Sequence, residues 1–139
     1  MNSSFNAVLA VILTTTLIYS TQSSASSCWD QIRNACRPIE EQADKLSDEC
    51  YRLESAMREI QNECETKNCN DERSLRSAIT SFGSCRHAKG STCYSSSPGS
   101  SCENEASRAQ RYQRKAAEMY DHYQRGFRSF ESFKSANGG

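Results

Sequence analysis

The sequence predicts an all-α protein: a small disulfide-stabilised up-down-up bundle of three helices, long, short and long. Three observations carry that expectation. Apolar residues recur every three or four positions along two long stretches. Eight cysteines lie almost symmetrically about residue 66, and three of them share one helix face. Paired from the outside in, they are Cys28 with Cys102, Cys36 with Cys93, Cys50 with Cys85, and Cys64 with Cys69. The two residue numbers in each pair add to nearly the same value. A chain that folds back on itself and is bridged at successive rungs has this property.

The first helix is read from Trp29, Ile32, Cys36, Ile39, Ala43, Leu46, Cys50, Leu53, Met57, Ile60 and Cys64, an unbroken seam at heptad spacing. Pro38 is the helix breaker within it, and it either kinks the helix or starts a new segment. Cys36, Cys50 and Cys64 are 14 residues apart in turn, which is about 21 Å of helix. A disulfide needs its Cα atoms within roughly 7 Å. Each of the three must therefore reach a different segment.

A break at Thr66 to Asn70 precedes a short helix over about Asp71 to Arg86, with Asn70 as its expected N-cap. Its apolar face is Leu75, Ala78, Ile79, Phe82 and Cys85. Lys89 to Ser101 is rich in Ser and Gly and reads as loop. The last helix covers about Cys102 to Lys134. Its expected seam is Cys102, Ala106, Ala109, Gln113, Ala116, Tyr120, Tyr123, Phe127 and Phe130. Asn137 to Gly139 are expected as a frayed, disordered tail.

Residues 1–27 carry no charged side chain and include an apolar run from Ala7 to Tyr19. That layout predicts a secretory signal peptide over residues 1–25, leaving one cysteine-rich helical domain at 26–136. The run is short of the roughly 20 apolar residues that a membrane span needs. Eight cysteines in so small a secreted chain predict disulfides and an extracellular location. Seventeen basic and seventeen acidic residues leave no net charge. Nucleic acid is therefore not an expected partner, and neither is stable membrane insertion. No Cys-x-x-Cys pair or His at ligand spacing suggests a metal site, and no cofactor is expected.

Catalytic signatures are equally sparse. The chain has no Gly-rich phosphate loop, no Gly-x-Ser-x-Gly elbow and no His-Glu-x-x-His. His87 lies near Cys85, but a bridged cysteine is no nucleophile, and His122 reads as a surface residue. The expectation is a non-enzyme. The candidate contact residues are the basic run Arg108, Arg111, Arg114 and Lys115, with Tyr112 inside it, together with Trp29 and Phe133. The arginines repeat every three residues along one helix flank, suiting an acidic partner, heparin-like polysaccharide or phosphate. The plainer role is a solvated face paired with the acids of the first helix. Phe133 lies off the strict register and is a candidate exposed anchor. Trp29 caps the core or touches a partner.

These readings converge on a secreted, non-enzymatic helical protein that binds an extracellular receptor or partner, in a signalling, reproductive, defensive or venom-type role. The alternative is a carrier whose bundle opens around a lipid- or pheromone-like ligand.

Overall fold

The computed structural model describes residues 25–90, 92–95 and 101–139. It has three helices, α1 (Ala25–Lys67), α2 (Glu72–His87) and α3 (Cys102–Ala136), long, short and long as expected. Except for Ala25, the expected signal segment lies outside the described residues. So do Ser91 and residues 96–100 of the Ser/Gly loop. Pro38 lies inside α1 on its exposed face, and the helix continues through it.

All four expected bridges are present, with Cα–Cα distances of 6.1 Å for Cys28–Cys102, 5.6 Å for Cys36–Cys93, 5.9 Å for Cys50–Cys85 and 5.0 Å for Cys64–Cys69. The described residues group into two compact units, one from those within 25–44 and 89–117, the other from 45–88 and 118–139.

In the second unit, segments of α1 and α3 pack with the whole of α2. Leu75, Ala78, Ile79, Phe82 and Cys85 form the buried face of α2, as its spacing predicts. The Ser47 hydroxyl donates to the Arg86 carbonyl at 3.3 Å, beside the Cys50–Cys85 bridge. The start of α1's segment thus meets the end of α2, and the two run antiparallel. α2 and α3 also run antiparallel. The Ser129 hydroxyl donates to Ser77 at 3.1 Å, while Phe82, further along α2, meets Phe127 edge-on with centroids 5.3 Å apart. Tyr123 joins this cluster at 4.8 Å from Phe127. Edge-to-face rings of this kind add roughly 0.5–1.5 kcal/mol beyond their burial.

The α1–α2 turn departs from expectation in its cap. Asp71, not Asn70, caps α2: its carboxylate accepts the Ser74 N–H at 3.3 Å, from a left-handed backbone with φ 53°. Asn70 is engaged elsewhere. Its backbone N–H donates to the Asn137 side-chain oxygen at 2.8 Å, and the Asn137 amide donates back to the Asn70 carbonyl at 2.8 Å. In place of the frayed tail expected at Asn137 to Gly139, the chain closes α3. The Gly139 N–H donates to the Lys134 carbonyl at 2.9 Å, with Gly138 at φ 79°. A positive-φ glycine after a helix satisfies its last carbonyls in this way.

In the first unit, α1 and α3 both start at the Cys28–Cys102 bridge and run parallel. Ser101 caps α3, its hydroxyl accepting the Asn104 N–H at 3.3 Å. Trp29, Ile32, Cys36, Ile39 and Ala43 are buried on α1, and Glu105, Ala109, Tyr112 and Ala116 on α3.

The buried stripe of α3 differs from the expected one at alternate positions. Ala109, Ala116 and Tyr123 are shared, but Glu105, Tyr112, Met119 and Gly126 take the deep places expected for Ala106, Gln113, Tyr120 and Phe127. The cause is compositional. Small or apolar residues occupy both sets, so periodicity alone centres the stripe poorly, and a buried glutamate does not register as apolar.

Candidate binding surface

The segment between α2 and α3 is held in the first unit by acidic side chains. Glu40, on α1, accepts the Cys93 N–H at 2.8 Å, and Glu105, on α3, accepts the Ser95 N–H at 3.0 Å. Lys89 is ion-paired with Asp44. Glu105 is almost fully buried, so its charge needs such partners. Together with the Cys36–Cys93 bridge, these contacts hold Lys89 and the residues 92–95, which form neither helix nor strand.

The basic run lies on the same helix as Glu105. Arg108, Arg111 and Arg114 are exposed on α3, and among the described residues no carboxylate is paired with any of them. Among the described residues, no acid of α1 is ion-paired with these three arginines. Lys115 is exposed too, with an interaction of its own. Arg108 also lines a pocket of about 290 Å³, shared with Glu40, Thr92, Tyr94 and Ser95. Above Tyr94 lies the Arg33 guanidinium, 5.9 Å from the ring centroid, within cation–π range. Guanidinium groups from two helices thus flank the residue 92–95 segment.

The other candidate residues are placed differently. Tyr112 is buried against Gly90, where an added Cβ would stand 3.0 Å from the ring. Burial, with Glu40 and then Asp44 nearby, pushes its phenol up to about 12. Trp29 is buried, which fits the core-capping role. Phe133 is only 5% exposed, so it is not an exposed anchor. It continues the stripe through Tyr123 and Gly126, which explains why it looked out of register. The second unit instead exposes Tyr51, at 53%, with the Arg86 guanidinium 4.5 Å from its ring centroid. Arg86 is in turn 3.5 Å from the buried Glu54 carboxylate, which also pairs with Arg58 at 2.9 Å.

All eight cysteines are in bridges, so none offers a thiolate. His122 accompanies Glu118 and Arg125 on α3 in an ordinary helical side-chain pairing. Among the described residues, no cluster of three or more His, Cys, Asp or Glu is placed to hold a metal ion. No helix there is long and apolar enough to cross a membrane. Comparison with protein families, with curated proteins and with solved structures yields no match to this chain.

Proposed function

We propose that the protein is a secreted, non-enzymatic binding protein whose disulfide-held helical body presents a surface to an extracellular receptor or partner. One observation carries this reading: Arg108, Arg111 and Arg114 stand exposed on one helix, with no carboxylate among the described residues paired to them. The nearby acids Glu40, Glu105 and Asp44 are committed to the neighbouring segment. Four bridges are what a small extracellular protein uses to keep such a surface rigid. The pocket beside Arg108 presents carboxylate, hydroxyl and guanidinium groups. That lining suits polar contacts better than the cargo of a hydrophobic-ligand carrier.

The test is saturable binding of the labelled, oxidised protein to cell surfaces of its source organism. The native chain is expected to saturate, and an R108E/R111E/R114E variant to bind about tenfold or more weakly, given the strength of charge-assisted hydrogen bonds. Absence of saturable binding, together with stoichiometric co-purified lipid in native mass spectrometry, would overturn the reading in favour of the carrier.

A further inference from the structure

We infer that the arginine flank of α3, with the pocket at its Arg108 end, binds an anionic sulfated polysaccharide. The inference rests on the preceding reading of this flank as the contact surface, and names the chemistry of the partner. Its first support is the geometry of the charges. Arg108, Arg111 and Arg114 succeed one another by three residues, each step rising about 4.5 Å and turning about 60° around the helix. Together they rise about 9 Å and sweep about 120° around α3, an oblique track rather than a compact patch. A linear chain with an anionic group on successive units can follow such a track. Arginine presents paired N–H donors in a planar fork, which matches the oxygens of sulfate and carboxylate.

The second support is the pocket. Its volume of about 290 Å³ lies at the lower end for small-ligand sites, suited to one ring-sized unit. The Thr92 hydroxyl on its wall is a hydrogen-bonding group for sugar hydroxyls, and Tyr94 contributes an aromatic ring. Arg108 belongs to both the pocket wall and the arginine track, so one chain can occupy both. Arg33, over Tyr94, adds a second guanidinium at the same end.

The third support separates a polysaccharide from an acidic protein. Protein interfaces centre on Trp, Tyr and Arg anchors seated in well-packed, desolvated pockets, most often with an aromatic among them. Among the described residues the exposed large hydrophobic is Tyr51, which belongs to the other unit. The arginine flank has charge and polar groups, and the aromatic ring at its Arg108 end, Tyr94, is half-buried with Arg33 over it and is no exposed anchor. Glycan recognition needs no apolar centre.

The test uses the oxidised chain and a size-defined heparin oligosaccharide, followed by titration calorimetry at low and high salt. Binding is expected, weakening steeply with salt as surface charges are screened. R108E/R111E/R114E should weaken it about tenfold or more, as should the gentler R108Q/R111Q/R114Q. The control R73E/R76E/R128E makes the same charge change at exposed arginines of the second unit and should bind like the native chain. Circular dichroism verifies that each variant is folded. Equal loss in the control would reduce the effect to net charge and overturn the inference. So would saturable cell binding that survives enzymatic removal of sulfated polysaccharide, an outcome that leaves the binding-protein reading intact.

Discussion

Gly126 leaves the space that the Phe82 ring occupies. A Cβ built there would lie 2.6 Å from one ring carbon and 2.8 Å from two others. Phe82 is fully buried and packed against Phe127 and Tyr123, so the ring has little freedom to withdraw. Gly126→Ala would gain up to about 1 kcal/mol of helix propensity, against about 1–3 kcal/mol for overpacking a closed core. Thermal unfolding of G126A is therefore expected at a lower midpoint than native; a higher one would show that the ring yields. This residue could not be found from the apolar pattern, because its contribution is the absence of a side chain. Glu105 and Glu54 escaped for the complementary reason. Their burial depends on partners from other segments, Ser95 for one and Arg86 for the other, besides the Arg58 that helical spacing already sets beside Glu54. The arginine run was legible because all its members are on one helix. The rest of the site was not. Tyr94, Thr92 and Glu40 meet Arg108 only after the Cys36–Cys93 bridge brings the intervening segment onto α1.

Among the elements, α2 is the one whose packing was legible residue by residue. It is short, with five apolar positions on one face and polar residues elsewhere. α3 was harder, since alanine at 106, 109, 116 and 117 makes two adjacent stripes nearly equivalent. The large Tyr112, Met119 and Phe133 decide between them. The junctions between elements differ in what their bridges constrain. Cys64–Cys69 closes a separation of 5 residues, whereas Cys50–Cys85 closes 35 and ties α1 to α2. Chain entropy assigns the first roughly 2 kcal/mol and the second roughly 4 kcal/mol. Paired cysteine-to-alanine replacement should accordingly lower the urea midpoint much more for C50A/C85A than for C64A/C69A. Equal losses would mean that the α1–α2 turn depends on its bridge more than on the Asp71 cap and the Asn70–Asn137 contacts.

At the scale of the whole molecule, one relationship governs both the fold and the surface. Helical periodicity places Cys36, Cys50 and Cys64 on one face of α1, too far apart to pair among themselves. The chain must therefore return along α1, where the returning segment engages Glu40, Glu105 and Asp44. The nested pairing thus underlies the fold and the placement of the segment beside Arg108. Disulfide mapping tests it most directly: proteolysis of the unreduced protein under conditions that block exchange, with mass spectrometry of the linked peptides. The account predicts Cys28–Cys102, Cys36–Cys93, Cys50–Cys85 and Cys64–Cys69 as the bridged pairs. A Cys36–Cys50 or Cys50–Cys64 linkage would contradict it, because neither can form while α1 is a continuous helix.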